Sequence, residues 1–595
     1  MAILSWRAVT VISLVTSYLD SFFQPSWSKS RLFGVFVGAW AFQFLLYAAW
    51  KVILWPKVFS PLRHLPQPKG NTFWLGHFGK IKAEPTGIPM REWAATIPND
   101  GVIRYLGFLN QERLLLTSPK ALADVLVTRN YDFQKPEHIR FGLARLVGDG
   151  ILVSEGDEHK FQRRNLLPAF AYRHIKDLYP SFWQKADEVV EAMTRTIAAD
   201  PLSLADLPEG VAAAAAASGG GPTAVIEVGG WASRVTLDII GLCGLGRDFG
   251  AVQNPDTELS RAYRGVFSPT PQAQQLAALS LVIPEWVVSR IPVQRNNDIL
   301  AANATIRGVC RDLIREKRER QARSAAEKKR REAEGGAAPA EDAGRDRRDR
   351  DILSVAIESG AFSDDNLVDQ LMTFLAAGHE TTATAMTWAV YLLARHPEVL
   401  ARLRAEVRAA LPAPGSGRGV TSVEVDRLPY LTAVCSEVLR FYAPVPLTLR
   451  EAAVDTEIAG HRVPRGTAII VSPWATNLDT TLWGPDAHLF NPDRWLSPTA
   501  AAAAAAAEPA ATANASGGAS SNYAFLTFLH GPRSCIGLAF ARAEFACLLA
   551  AWAGRFEFRL RYPEEEDERK IDIKGGVTAR PQRGMHVYAT VVEGW

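Results

Sequence analysis

The chain has 595 residues, 48% hydrophobic and 22% charged, which fits a protein that buries a large core and excludes wholesale disorder, a collagen-like fibre and a multi-span transporter. The formal net charge is +3, but the stretch from Arg311 to Arg350 holds 14 Lys/Arg against 10 Asp/Glu. The remainder is close to neutral, and no nucleic-acid footprint survives. Five cysteines, Cys243, Cys310, Cys435, Cys535 and Cys547, are too few and too scattered for a disulfide framework or a zinc cage.

From the N-terminus, residues 1–31 include a short apolar stretch, Ala8 to Leu19, between Arg7 and Asp20. It reads either as an interfacial helix or as half of a hairpin. Leu32 to Trp50 is a charge-free run of 19 residues, about 28 Å as a helix and close to the hydrocarbon thickness. Residues 32–55 are therefore read as a transmembrane anchor, with Trp50 and Trp55 at the interface. Lys51, Lys57, Arg63 and Lys69 outnumber Lys29 and Arg31, which places the body on the cytosolic side by the positive-inside rule. Residues 56–70 hold Pro61, Pro66 and Pro68 and read as a stiff hinge.

Residues 71–595 are expected to form one large body. Three low-complexity stretches, 201–222, 317–350 and 497–521, read as insertions that need not fold. Most of the rest has helical periodicity. The longest helix is expected from Ser363, with Asp364 and Asp365 in its first turn, to just before Pro397. Strand-like pieces are few: Val102–Arg104, Glu112–Thr117, Ala468–Val471 and Met585–Val592. The fold class is mainly α with small β-sheets.

Three segments carry chemistry. Ala377-Gly378-His379-Glu380-Thr381-Thr382 lies inside the long helix, where a glycine costs about 1 kcal/mol against alanine and so asks for a reason. His379-Glu380 does not open a zinc motif, because Ala383 stands where the second histidine would be. Glu437 and Arg440 are three apart and can meet on one helix face. Phe528-Leu529-His530-Gly531-Pro532-Arg533-Ser534-Cys535-Ile536-Gly537 places a cysteine in a Gly/Pro-bent loop that opens onto an apolar helix. A helix N-terminus and Arg533 both favour an anionic sulfur there. Gly531 and Gly537 would let a flat ligand approach the backbone.

F-x-x-G-x-R-x-C-x-G is matched at every fixed position, and the segment resembles the haem-binding loop of the cytochrome P-450 superfamily, of the microsomal, membrane-anchored, fungal-like type. The resemblance implies a cytochrome P-450 fold behind an N-terminal transmembrane helix. It also implies haem b with Cys535 as axial thiolate to iron, Phe528 against the proximal face and Arg533 at a propionate. Ala377-Gly378-x-Glu380-Thr381-Thr382 resembles the oxygen-activation motif; Ala377 and Gly378 would border the haem, with a widened groove as the glycine's reason. Thr381 would donate to the distal oxygen and Glu380 relay protons. Glu437, Arg440 and Arg494, the last in Phe490-Asn491-Pro492-Asp493-Arg494-Trp495, resemble the family's structural network. Gly156–Arg164 resembles the W-x-x-x-R helix, with His159 in the tryptophan's place and Arg163 at a propionate; Arg450 is a further propionate candidate. The loop near Lys135–Gly150, Phe374, Val445, Leu447 and the turn near Val577 are expected to line the pocket.

The implied activity is monooxygenation of a lipophilic substrate, with NADPH used indirectly through a separate cytochrome reductase and cytochrome b5 as an optional second donor. The implied location is the endoplasmic reticulum membrane. Two alternatives stay open: a haem-thiolate isomerase or dehydratase that needs no external electrons, and a non-enzymatic membrane scaffold.

Overall fold

The computed structural model describes residues 6–23, 28–217, 219–267, 270–333, 351–497, 516–573 and 577–595. Helices α1 (Trp6–Phe23) and α2 (Lys29–Ala49) pair at the N-terminus, and α2 runs on into a π-helical turn, Trp50–Phe59. Residues 29–59 have mean hydropathy 1.8 over their most apolar window, in which no residue is fully buried. The chain then enters the body. Leu62 and Leu65 are buried there, Trp55 Nε1 donates to Glu112 Oε2 at 2.9 Å, and Asn110 Nδ2 donates to the Val52 carbonyl at 2.9 Å. The end of the anchor and the proline-rich segment thus pack against the body.

Strands β1 (Val102–Leu106), β2 (Glu112–Leu116) and β3 (Phe133–Gln134) precede helices α3 (Gly156–Leu166) and α4 (Tyr179–Ala199). After β4 (Thr223–Glu227) come α5 (Val228–Ile239), α6 (Asp364–Arg395) and α7 (Pro429–Phe441). Strands β5 (Thr448–Ala452) and β6 (Ala468–Val471) follow, then α8 (Leu538–Arg555), β7 (Phe556–Leu560) and β8 (His586–Val591). One sheet has the order β1-β2-β6-β5-β3, with β2 and β6 parallel; a second has the order β4-β8-β7. The β3–β5 register pairs Phe133 with Ala452 and Gln134 with Glu451. Continued one step, it brings Lys135 opposite Arg450.

The centre of the core is α6. The Ser363 hydroxyl accepts from Asn366 N–H as its N-cap, Asp364 and Asp365 occupy the first turn, and the helix stops at Arg395 before Pro397. It packs on α5 and, through its second half, on α8. Between Leu367 and Ala394 every residue is buried except Asp369, Ala377, Gly378 and Thr381. Ala377, Gly378 and Thr381 are spaced i, i+1, i+4 and so form one accessible stripe on an otherwise enclosed helix.

Two of the three low-complexity stretches fold in part. Glu209–Ala217 is a helix with Val211 and Ala215 buried four apart, because an alanine run has the highest helix propensity and needs only a few side chains to dock. The helix Gln294–Ala333 takes in the first half of the charged stretch. Residues 334–350 and 498–515 lie outside the described residues.

Candidate active site

The cysteine loop is closed by its own backbone. Cys535 N–H donates to the Phe528 carbonyl at 2.8 Å and Ser534 N–H to Gly531 at 3.0 Å. Gly531 has φ +73°, and a Cβ there would lie 2.1 Å from the Leu126 carbonyl oxygen. The turn and the close approach of the Leu126 backbone therefore both require glycine here. At Gly537 a Cβ would meet only Phe170, at 3.9 Å, so this is the position that leaves room beside the sulfur. Phe528 packs on the main core near Phe525 and under the Arg542 guanidinium.

Of the five cysteines, Cys535 alone is accessible. Burial still pushes its thiol up, opposed by the Gly537 N–H and by Arg163. A sulfur both accessible and surrounded by protein mass faces internal space. Cys547, in the middle of α8, is fully enclosed, and burial pushes its thiol well up.

The wall above the loop is cationic. Arg533 is buried, donates from Nε to Asn130 Oδ1 at 3.1 Å, pairs with Glu155 and lies over the Tyr131 ring. Arg450 is buried, and burial together with Arg533 pulls its pKa down to about 10. Lys135 is pulled down to about 7 by burial and by Arg450. His159 is pulled down to about 3 by burial and then by Arg533, Lys135, Arg163 and Arg450; it is therefore neutral and offers one N–H. Its Nδ1 lies 3.3 Å from the Tyr131 hydroxyl. Three cations, Lys135, Arg450 and Arg533, gather around one carboxylate, Glu155. Burying such a surplus is costly unless a partner neutralises it. Arg450 and Arg533 stay charged at neutral pH while Lys135 is about half protonated, so the surplus over Glu155 lies between one and two positive charges, an excess that an anionic ligand would offset. Arg163, expected from the sequence at a propionate, donates from Nη1 to the Ser534 carbonyl at 2.7 Å and from Nη2 to its hydroxyl at 3.1 Å. It clamps the cysteine loop.

On α6, the Thr381 hydroxyl donates to the Ala377 carbonyl at 2.8 Å. What it turns to the accessible stripe is therefore an acceptor oxygen, where the sequence reading has it as donor. Glu380 points the other way: Thr578 Oγ1 donates to it at 2.9 Å, and Arg580 Nη1 pairs with it at 3.1 Å. Gly378 meets Ile240, where a Cβ would stand 2.8 Å from Cγ1. The mid-helix glycine thus admits a neighbouring side chain, a packing reason for its presence. Phe374 is buried against Phe170, ring centroids 5.3 Å apart, and Phe170 in turn borders Gly537. Phe374 therefore links α6 through Phe170 to the cysteine loop. Val445 and Leu447 are half-buried and Val577 is exposed.

Behind the loop, Arg440 donates from Nε and Nη2 to the two oxygens of Glu437 at 2.8 and 2.7 Å, both side chains fully buried. Arg494 adds a contact to Glu437 at 3.2 Å, and Trp495 Nε1 donates to its other oxygen at 2.8 Å. The sequence reading lacks Lys135 as a cation of the rim, and it lacks Glu155, Tyr131, Thr578 and Arg580 altogether. No local pattern marks them; they arrive through pairings distant in sequence.

A cationic rim beside one accessible cysteine sulfur fits a haem held by a single thiolate, and this fit points to the haem-thiolate class. The chain belongs to the cytochrome P450 family, whose model "Cytochrome P450" matches residues 66–588. "Cytochrome P450 monooxygenase sphH" of Aspergillus fumigatus is 44% identical over 573 residues, 96% of this chain and 95% of that protein. "Cytochrome P450 monooxygenase FUM15" of Gibberella moniliformis is 44% identical over 588 residues, 93% of each. "Cytochrome P450 monooxygenase ALT8" of Alternaria alternata is 42% identical over 572 residues, 92% of this chain and 93% of that protein. The protein is an oxidoreductase, a haem-thiolate monooxygenase with haem iron as its cofactor, and its family draws electrons from NADPH through a reductase.

Proposed function

We propose that Cys535 would bind haem iron as thiolate, that Arg533, Arg450, Lys135 and neutral His159 would hold the propionates, and that Thr381 with Glu380 would manage protons during hydroxylation of a lipophilic substrate. The bound haem supplies an iron centre that activates dioxygen for insertion of one oxygen atom, the other leaving as water. Cys535 binds as thiolate because metal coordination deprotonates a thiol even where burial alone favours the neutral form. Arg163 fixes the loop backbone next to it through Ser534. The accessible Ala377–Gly378–Thr381 stripe carries the proposal for the distal side: it is the one face of α6 near mid-helix that is open, and its polar atom is an acceptor that can hold a protonated group in place. Glu380 is assigned the proton relay; its carboxylate is held by Thr578 and by Arg580, a side chain 36% exposed, and would have to turn from them to serve the stripe.

The electron donor is proposed to be a separate NADPH-dependent cytochrome reductase, with cytochrome b5 as a second donor. The site is proposed to be the cytosolic face of the endoplasmic reticulum membrane. Beside the anchor's end Phe73, Trp74 and Leu75 are exposed, and on the helical side so are Val282 and Trp286; these would keep contact with lipid. Deleting residues 1–55 is therefore expected to release the protein from membranes only in part, and complete retention with unchanged salt sensitivity would contradict the anchor. The test of the reaction class is reconstitution. With reductase, NADPH and a substrate that shifts the haem spin state, product should require reductase and dioxygen. Turnover without reductase would favour the isomerase or dehydratase alternative.

A further inference from the structure

The N-terminal pair is built inside out for water. Ser13 and Ser17 of α1 are buried against α2. The Ser17 hydroxyl donates to the Leu32 carbonyl at 2.7 Å, and Gln43 Nε2 donates to Ser13 Oγ at 2.9 Å. Ser13 Oγ in turn donates to the Val9 carbonyl at 2.9 Å. The outer face of α1 is Val11, Ile12, Leu14, Val15, Leu19 and Phe22, each at least 45% exposed. The one outward threonine, Thr16, returns its hydroxyl to the Ile12 carbonyl. Polar groups between the helices and apolar groups outside are the arrangement hydrocarbon selects, since lipid cannot satisfy a hydrogen bond.

An interfacial helix would need a polar flank turned to water, and the exposed polar groups of α1 between Val11 and Leu19 are only Thr16, whose hydroxyl returns to the helix, and Tyr18. Its 18 residues span about 27 Å, near the hydrocarbon thickness. Asp20, its one acidic residue, pairs with Arg31 at 3.3 Å close to the connection between the helices. The opposite end carries Lys51 and Lys57, and by sequence position Arg7 lies at that end as well. Positive charge therefore gathers at the body's end of the pair, the cytosolic end by the positive-inside rule.

We propose that α1 and α2 cross the membrane together, with lipid hydrocarbon covering the outer face of α1. The N-terminal end of α1 then lies on the same side as the catalytic body, and the α1–α2 connection on the other. The proposal rests on α2 being a membrane anchor. The test uses the full chain in sealed microsomes, with an N-glycosylation acceptor on a spacer placed either before Met1 or between Phe23 and Lys29. The expected result is an endoglycosidase-sensitive mobility shift for the internal tag, none for the N-terminal tag, and resistance of both proteins to alkaline carbonate extraction. Glycosylation of the N-terminal tag would overturn the hairpin, and so would carbonate resistance with neither tag modified. Release by carbonate would overturn the anchor itself, a separate failure.

Discussion

Two buried charge clusters stand on either side of the cysteine loop, and they are built on opposite plans. In one, Arg440 and Arg494 face Glu437 and Asp486, two cations to two carboxylates. The carbonyls of Asn477, Ala487 and Leu489 satisfy the remaining Arg440 protons. In the other, Lys135, Arg450 and Arg533 face Glu155 alone, and their neighbours depress the pKa values of Lys135 and Arg450. A closed network is a structural joint, whereas a buried surplus of one sign is a binding site, because only a ligand of opposite charge makes it stable. The difference separates the residues that build the loop from those that hold what it binds.

The largest effect should come from opening the closed network. Glu437→Ala or Arg440→Ala leaves a fully buried charge unpaired, a cost of about 3–5 kcal/mol, so little folded protein is expected, as read by yield and thermal midpoint. The open cluster should behave the other way. Arg450→Leu removes one like charge from the rim and is expected to leave the fold's stability unchanged or raised. It should also loosen haem about tenfold or more, the effect of losing one charge-assisted hydrogen bond, as measured by haem transfer to an acceptor protein. If both variants lost stability alike, the distinction would fail.

A smaller effect is expected on the distal side. Thr381→Ala leaves the cysteine loop and the cationic rim untouched. NADPH consumption should continue at a comparable rate while product per NADPH falls at least about tenfold and hydrogen peroxide rises. Thr382 is buried on the opposite flank, and Thr382→Ala should change coupling far less. Equal coupling in wild type and Thr381→Ala would remove Thr381 from the proton path.

The smallest effect concerns pH. Asp238 is fully buried and accepts from Ala251 and Val252 N–H at 2.7 and 2.9 Å, and burial pushes its pKa from 3.8 to about 6. Between those values the folded protein holds a proton that the unfolded chain has released. The stabilisation is therefore full below about pH 4 and is lost as pH rises through about 6. Asp238→Asn cannot titrate and accepts with one oxygen only. It should cost about 1 kcal/mol, with a larger loss at pH 4.5 than at pH 8 in thermal unfolding.

What was legible in the sequence was local. The cap at Ser363, the helical period of α6 and the spelling around Cys535 are each contained within a few turns of chain, and the structure has α6 and the cysteine loop there. What was not legible depends on distant pairing. Lys135 joins Arg450 through the β3–β5 ladder, and Thr578 and Arg580 reach Glu380 from about two hundred residues away. Packing also adds neighbours that no local pattern marks. Gly378 and Gly531 are glycines for their neighbours Ile240 and Leu126, Phe374 turns to Phe170, and the alanine run at 209–217 folds because two of its side chains find the body.

The account stands on Cys535 as the sole thiolate to haem iron. The direct measurement is the ferrous–carbon monoxide difference spectrum of wild type, Cys535→Ser and Cys547→Ser, with far-ultraviolet circular dichroism to show that each is folded. Wild type and Cys547→Ser should give the thiolate Soret band, and Cys535→Ser should be folded and lack it. A folded Cys535→Ser protein that kept the band, or its loss in folded Cys547→Ser, would contradict the assignment.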